Sequence, residues 1–263
     1  ERGSTALSRQ GIYNVLYAIL ATSAKHLYSQ NTPAHTGFVK SVYDTSSVSI
    51  SLDSNAHKTF SFNYVLRGES GNINFQMYNG LDSTLASLSK KIVKVSYYGP
   101  TPTRAQVDSI TFRRILREPN QKAAIRRLAE SIKKESPEKD DQARIAVSLV
   151  QQIPYDSAYA ANMGSRQNYL PYQVLYNNKG VCGEKSNLLA LMLGELGFGS
   201  AILSYYSQNH AAVGIKCPVQ YNYANTGYAF VETTTPLMMT YSNGTYASSK
   251  LNSAPAVFPS SEG

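Results

Sequence analysis

The chain has 263 residues, of which 42% are apolar and 16% are charged. It is long and apolar enough to bury about 70–75% of the surface of its unfolded chain. This composition excludes a disordered tail and a small disulfide-stabilised domain. The net charge of +8 favours acidic partners such as acidic cell-wall polymers, anionic lipids or nucleic acids. The low charged fraction is offset by Tyr, Ser and Asn, so we expect an extracellular or envelope-associated location.

The residues that most often bind metals are few and scattered. The chain has only two cysteines, Cys182 and Cys217, which excludes a disulfide framework and a four-cysteine zinc site. No two of the four histidines have the spacing of three or four residues that places two ligands on one helix face. We therefore expect neither a metal nor another cofactor. The histidines are His26, His35, His57 and His210.

The N-terminal segment, residues 1–37, contains an apolar stretch over residues 12–24. Its apolar residues recur at helical spacing, but the stretch is shorter than the about 20 residues needed to cross a bilayer. It is predicted to be a docking helix. The alternative is the stub of a trimmed membrane anchor, which would give membrane association through residues before or within this helix. The residues that share one face are Ile12, Val15, Leu16, Ile19 and Leu20.

Residues 38–102 are predicted to form a small β-rich unit. Apolar and polar residues alternate with period two from Phe38 to about Tyr98, which is typical of half-buried strands. The turn-forming residues 67–72 predict a hairpin between two of these strands. No catalytic residues converge here, so we expect a role in support, substrate presentation or anchoring. The alternating sets are Val48, Ile50 and Leu52, then Phe60, Phe62 and Tyr64, then Ile73, Phe75 and Met77.

Helical periodicity begins after residue 102, in the segment 103–240 that we expect to be the catalytic domain. One helix is predicted through Ile125 and Ile132 up to Ser136, and a second over 139–152. No nucleic-acid-binding module accompanies the basic residues of the first helix, so we expect a solvated face and no nucleic-acid partner. Residues 241–263 are predicted to be a polar tail, partly disordered. The basic residues are Arg113, Arg114, Arg117, Lys122, Arg126 and Arg127.

Three residues carry the chemistry expected of a nucleophilic cysteine site. Cys182 begins a buried helix, where the positive end of the helix dipole stabilises a thiolate. His210 begins a strand, and an imidazole can take the thiol proton and later return one to a leaving amine. Glu232 follows another strand and could orient the imidazole. Papain-like enzymes place His about 130–150 residues after Cys, so the short spacing here excludes papain topology.

The stretches PYQVLYNNKGVCGEKSNLLALMLGELGF, HAAVGI and YAFVETTTP resemble the transglutaminase-like superfamily, and within it the microbial and archaeal cysteine-peptidase branch. The match extends over about Tyr169 to Pro236. The resemblance implies an α+β fold in which helices pack on an antiparallel sheet. It also implies Cys182 as nucleophile, His210 as general base and acid, Glu232 as orienting carboxylate, and acyl transfer from an amide through a thioester.

The chain departs from that branch at two positions before the nucleophile. Val181 replaces a common acidic residue, and Gln173 stands where Glu is usual. Because Gln can donate an N–H, Gln173 is a candidate for the oxyanion hole beside the backbone N–H of Cys182, the alternative being a polar loop residue. Cys217 is expected to be a structural thiol and not a disulfide partner of Cys182, since a nucleophilic thiol has to stay free.

The expected function is a thiol hydrolase that cleaves a peptide or isopeptide bond in a peptide, a protein or an envelope polymer. Two alternatives stay open: transamidation, in which a lysine amine resolves the thioester, and an inactive binding scaffold. The chain has no Trp to reproduce the oxyanion arrangement of animal transglutaminases, which favours hydrolysis. Five tyrosines could wall an acceptor tunnel: Tyr169, Tyr172, Tyr176, Tyr205 and Tyr206.

Overall fold

The N-terminal part of the described chain is a β-hairpin. The computed structural model describes residues 57–93, 97, 100–236, 245–246, 249–251 and 253–263, so the predicted N-terminal helix and the strand around Val48 lie outside the described residues. Strand β1 (His57–Leu66) pairs antiparallel with β2 (Glu69–Tyr78), with Phe62 opposite Ile73. Arg67 and Gly68, with φ of 53° and 91°, make the two-residue turn that matches the strand twist. The predicted hairpin is confirmed.

A helix, α1 (Asn79–Val93), follows the hairpin directly. The prediction that the period-two pattern continues to about Tyr98 is therefore wrong. Leu81, Leu85 and Ile92 are 2%, 0% and 0% exposed, and their spacing places them on one helix face. Alternation ends at Tyr78 because the next apolar residues recur with the period of a helix.

The helices that carry the core come next, and those predicted before Ser136, over 139–152 and from Cys182 are confirmed. Thr103 and Gln106 form a capping box at the start of one of them, and Glu118 caps the next through the backbone N–H groups of Asn120 and Gln121. The helices are α2 (Arg104–Arg117), α3 (Pro119–Glu135), α4 (Lys139–Gln152), α5 (Ser157–Ala161), α6 (Pro171–Asn177) and α7 (Cys182–Leu196).

A four-stranded antiparallel sheet packs against α7. Its strands are β3 (Gly199–Tyr205), β4 (His210–Lys216), β5 (Tyr228–Val231) and, after the short pair β6 (Thr245–Tyr246) and β7 (Ser249–Lys250), β8 (Ala256–Glu262), in the order β5-β4-β3-β8. Ile202 and Val213 join the helical core, whereas Leu203 and Phe230 pack with Tyr223 on the opposite side. This alternation buries both faces of the sheet, and the fold is the predicted α+β arrangement.

The C-terminal residues complete this sheet. The polar composition after residue 240 predicts a partly disordered tail, but β8 pairs with β3 and Phe258 makes an edge contact with Phe112 at a centroid distance of 5.1 Å. The difference arises because an edge strand needs few apolar residues when a core strand supplies its hydrogen bonds. The residues 256–262 are therefore part of the folded core.

The hairpin packs on α4. The backbone N–H of Val65 donates to Oγ of Ser148 at 2.8 Å, and Arg67 pairs with Asp141 at 2.7 Å. Hairpin residues such as Phe75 belong to the same hydrophobic cluster as the helices, and the elements from β1 onward form one compact unit. The domain boundaries drawn from the sequence stay a prediction. Within the described residues, no helix combines the length and apolarity required to cross a membrane.

Candidate functional site

Cys182 is the first residue of α7 and lines a cleft of about 400 Å³. Its thiol is partly exposed, and Sγ lies 4.0 Å from the backbone oxygen of Asn209. The preceding residue, Val181, donates its N–H to Oε2 of Glu184 at 3.0 Å, which closes the first turn of the helix.

His210 and Glu232 form a buried pair beside this thiol. Nε2 of His210 lies 2.9 Å from Oε2 of Glu232, and the two side chains are 3% and 0% exposed. The bond to Glu232 leaves Nδ1 as the ring nitrogen for the hydrogen bond between His210 and Cys182. The ring of Tyr205 stacks on the imidazole at a centroid distance of 6.2 Å. The structure thus brings the three predicted triad residues together.

The pKa of His210 is raised to about 9. Burial lowers this pKa because a charged imidazole loses hydration. Hydrogen bonds to Cys182 and Glu232, together with the negative charges of both groups, raise it by more. His210 therefore carries a proton at neutral pH.

Besides its bond to His210, Glu232 accepts four hydrogen bonds, which come from Thr233, Thr234 and Gln151. Its Oε1 accepts the backbone N–H groups of Thr233 at 2.9 Å and Thr234 at 2.8 Å, and the Thr234 hydroxyl at 2.6 Å. Its backbone oxygen accepts Nε2 of Gln151 at 2.9 Å. The second carboxylate oxygen is consequently directed at the imidazole, which fixes the plane and the tautomer of the ring.

Lys185 is a buried charge that the sequence analysis did not single out. It is 0% exposed, and Nζ donates to the backbone oxygens of Ile153 at 2.6 Å and Gln151 at 3.4 Å, at the end of α4. Burial lowers its pKa to about 8, while the charge of Glu232 acts in the opposite direction. Because Nε2 of Gln151 also donates to the backbone oxygen of Glu232, this end of α4 contacts both Lys185 and Glu232.

Arg166 is a second residue that was not predicted from the sequence, and it links the first turn of α7 to the wall of the cleft. Its guanidinium makes two hydrogen bonds to Glu184, at 2.7 and 2.9 Å, and pairs with Asp156 at 2.9 Å. It stacks between the rings of Tyr159 and Tyr169, 3.8 and 3.5 Å from their centroids. Its partner Glu184 offered a signal in the sequence, since Glu184 and Lys185 are adjacent charged residues just before the apolar stretch 188–193 of the same helix.

The predicted oxyanion candidate Gln173 lies in α6 with 4% exposure. Its Nε2 donates to the backbone oxygen and Oδ1 of Asp82 at 3.4 and 3.3 Å, and its Oε1 accepts the N–H of Leu170. Gln173 is not among the residues that line the Cys182 cleft. These contacts explain Gln173 as a capping residue of α6 and add no support to the oxyanion prediction.

The tyrosines considered as tunnel walls divide into two groups. Tyr169, Tyr205 and Tyr206 line the cleft. Tyr172 instead bonds the backbone of Tyr78, and Tyr176 makes a tilted ring contact with Phe60 of the hairpin. The cleft therefore has a partly aromatic wall. Among the residues that the structure describes, no three His, Cys, Asp or Glu side chains are grouped as metal ligands would be.

Cys217 and Cys182 are both free thiols in the structure. Burial raises the pKa of Cys217, and a hydrogen bond with the backbone at Ala229 opposes that shift. Cys182 thus lies at a helix N-terminus beside an imidazole. Cys217 directly follows β4 and does not lie at a helix start. This contrast makes Cys217 a control for Cys182.

We expect stability to fall as the pH rises between about 6.5 and about 9. The folded-state pKa of His210 is about 9 against 6.5 unfolded, so its contribution is complete below pH 6.5 and is lost through pH 9. Urea unfolding at pH 6 and pH 8 should differ by about 1–2 kcal/mol. Above pH 8 the deprotonation of Lys185, whose pKa is lowered to about 8, acts in the opposite direction. His210→Gln removes the titrating group, and an equal pH difference in that variant would assign the effect to other residues.

Comparison with known proteins gives one family and one structure. The model of the transglutaminase-like superfamily matches residues 126–237, which include Cys182, His210 and Glu232. A solved structure of a "putative protease" from Parabacteroides distasonis is 13% identical with a TM-score of 0.35. The alignment covers 70% of this chain and 43% of that chain, so this chain spans less than half of that protein. No curated protein matches.

Proposed function

Since residues 126–237 belong to the transglutaminase-like superfamily, we propose that this chain is a thiol hydrolase that cleaves an amide bond through Cys182, His210 and Glu232. The observation that carries the proposal is the buried 2.9 Å pair of His210 and Glu232 beside a thiol at a helix start. A nucleophile, a base and a group that orients the base are the parts that covalent acyl transfer needs.

In the first half of the reaction, the Cys182 sulfur attacks the carbonyl carbon of the bound amide. His210 holds the thiol proton as an imidazolium, which Glu232 stabilises. The carbonyl oxygen becomes an oxyanion, and the backbone N–H of Cys182 donates to it. When the tetrahedral intermediate collapses, the C–N bond breaks, His210 gives its proton to the departing amine, and a thioester on Cys182 remains.

In the second half, water resolves the thioester. Neutral His210 removes a proton from the water as its oxygen attacks the thioester carbonyl. The C–S bond then breaks, a carboxylic acid leaves, and the proton returns to the Cys182–His210 pair. The same proton transfers would serve a lysine amine in place of water, so transamidation uses the same three residues and differs only in the acceptor.

Two features of the cleft bear on the choice of acceptor. Tyr169, Tyr205 and Tyr206 contribute an aromatic wall, as a transamidase tunnel would require. However, the chain has no Trp, and the Cys182 thiol is partly exposed, so water has access to the thioester. We therefore propose hydrolysis, with transamidation as the alternative. An inactive binding scaffold would have no need of a thiol that faces a buried His–Glu pair.

The acceptor can be identified by product analysis. A glutamine-containing peptide and a lysine-linked isopeptide are incubated with the chain, with and without a millimolar primary-amine tracer. We expect free carboxylic acid or ammonia release as the main outcome and little tracer in the peptide. Mass spectrometry distinguishes the products, and Cys182→Ala supplies the background. Predominant tracer incorporation would replace hydrolysis with transamidation, and no Cys182-dependent product from any amide would favour the scaffold.

The substrate class that we propose is a peptide, a protein or an envelope polymer outside the cytoplasm. The net charge of +8 and the low charged fraction support an acidic substrate and an exported protein. Association with a membrane would depend on residues before or within the segment 12–24. Assaying release of amines from acidic and neutral peptide substrates at low and high salt tests the charge argument, because screening weakens only the acidic set.

A further inference from the structure

Asn187 is a buried polar residue that the reaction described above does not use. It lies on α7, is 6% exposed, and lines the cleft that contains Cys182. Its Oδ1 is buried and has no hydrogen-bond partner in the structure. An unpaired buried carbonyl oxygen destabilises a folded protein, so such groups usually gain a partner from protein, water or ligand.

Asn187 lies in the second turn of α7, close to the nucleophile along the helix. Side chains four residues apart lie on the same helix face. The residue four positions earlier is Gly183, next to the nucleophile, and Cys182, Gly183 and Asn187 all line the cleft. Asn187 therefore belongs to the side of α7 that faces the cleft.

The chemistry of the cleft indicates which partner the oxygen takes. The amide oxygen is an acceptor and needs an N–H or O–H donor. The charged groups on this side of the cleft are already paired, because Glu184 binds Arg166 and Asp108 accepts the Tyr206 hydroxyl at 2.8 Å. A peptide brought to Cys182 for cleavage carries backbone N–H groups on both sides of the scissile carbonyl, and each needs an acceptor once it leaves water.

We propose that Asn187 is a substrate-binding residue whose Oδ1 accepts a backbone N–H of a bound peptide next to the scissile carbonyl. The inference rests on the proposed function and makes it more specific. The substrate is a secondary amide with a free N–H near the cleavage site, and N-alkylated peptides or esters at that position bind less well. The unpaired Oδ1 destabilises the free protein, and the bound peptide removes this cost when it supplies the missing N–H.

The test compares two peptide electrophiles that differ at one nitrogen. The probes are an N-acetyl dipeptide chloromethyl ketone and the same compound methylated at the backbone nitrogen nearest the ketone. Alkylation of Cys182 is followed by mass spectrometry for the wild-type chain and for Asn187→Leu, which removes the acceptor. We expect the N–H probe to react about tenfold faster than the methylated probe in the wild type, the factor for one hydrogen bond of about 1.4 kcal/mol, and the two rates to be nearly equal in Asn187→Leu.

Asn222 supplies the matched control. Its Oδ1 is also buried without a partner, but Asn222 is not among the cleft-lining residues. Asn222→Leu should therefore discriminate between the probes as the wild type does. Asn187→Leu removes an unpaired oxygen, so it should keep or raise the melting temperature, by about 2–4 °C for a chain of this size. Asn222→Leu also removes the hydrogen bond from Nδ2 to the backbone oxygen of Val219, so only its probe discrimination serves as the control. A merely structural Asn187 would instead lower the melting temperature and leave the rate ratio unchanged.

N-Ethylmaleimide has no N–H group, so its reaction with Cys182 tests the proposed function independently of the role of Asn187. Faster reaction at Cys182 than at Cys217, combined with equal discrimination between the peptide probes in the wild type and in Asn187→Leu, would overturn the inference and leave the proposed function in place. If Cys182 reacts no faster than Cys217 with N-ethylmaleimide or with either peptide probe, the proposed function fails, and the role of Asn187 fails with it.

Discussion

Replacing Cys182 with alanine is expected to abolish amide cleavage and leave the fold intact. In the proposed mechanism the sulfur forms the covalent intermediate, and no other thiol lines the cleft. Loss of the nucleophile in a triad lowers kcat by about 10⁴–10⁶. Alanine is tolerated at the first turn of a helix, and the partly exposed thiol contributes little packing. The measurements are kcat/KM for the peptide or isopeptide identified in the product assay, and the melting temperature of the variant.

Cys217→Ala is the matched control for this substitution. Cys217 is the only other cysteine of the chain, it is also free, and burial raises its pKa. This variant should retain wild-type activity. Iodoacetamide near neutral pH should label Cys182 before Cys217, since the thiolate is the reactive form. Cleavage that persists in Cys182→Ala would refute the nucleophile assignment.

Replacing His210 with alanine should be nearly as severe, with a loss of about 10⁴ or more in kcat. The variant removes both the acceptor of the thiol proton and the donor to the leaving amine. It also removes the imidazolium, whose pKa is about 9, from beside the thiol. Alkylation of Cys182 at pH 7 should therefore slow markedly, which a loss of substrate binding alone would not cause.

Glu232 provides a graded comparison for His210. Glu232→Gln keeps the size of the side chain and removes its charge, and we expect a loss of about 10²–10⁴, the range seen when the orienting residue of a triad is changed. Glu232→Asp keeps the charge and shortens the reach across the 2.9 Å contact. Full activity in Glu232→Gln would make the carboxylate structural, and the orienting group would have to be another residue.

The three residues that the structure brings together in the cleft could be predicted because each is marked by a local pattern. An apolar helix starts at Cys182, and strand patterns begin at His210 and end before Glu232. Such signals depend on neighbours within one or two turns of chain, so a single sequence contains them. The hairpin turn at Arg67 and Gly68 is local in the same sense. The helix α1 also had a local signal, its leucine spacing, which the period-two interpretation overlooked.

Contacts between distant segments could not be predicted in this way. The N–H groups of the Gln173 side chain suggest a role in the oxyanion hole, but this amide donates to Asp82 on another helix. The buried charge of Lys185 depends on the end of α4, and the unpaired oxygen of Asn187 depends on the shape of the cleft. In each case the hydrogen-bond partner lies far away in sequence or is absent. Neither situation produces a periodic pattern of residues in the sequence.

For this protein, the sequence alone determined the chemistry available: a thiol at a helix start, an imidazole, a carboxylate, and a basic chain with a large core. The tertiary structure decided how that chemistry is assembled. Packing of α4 and α7 on the sheet sets the 2.9 Å contact between His210 and Glu232, and pairing of β8 with β3 makes a polar segment part of the core. The physical reason is that helix starts and strands follow from local backbone preferences, whereas distances, burial and pKa shifts depend on which segments pack together.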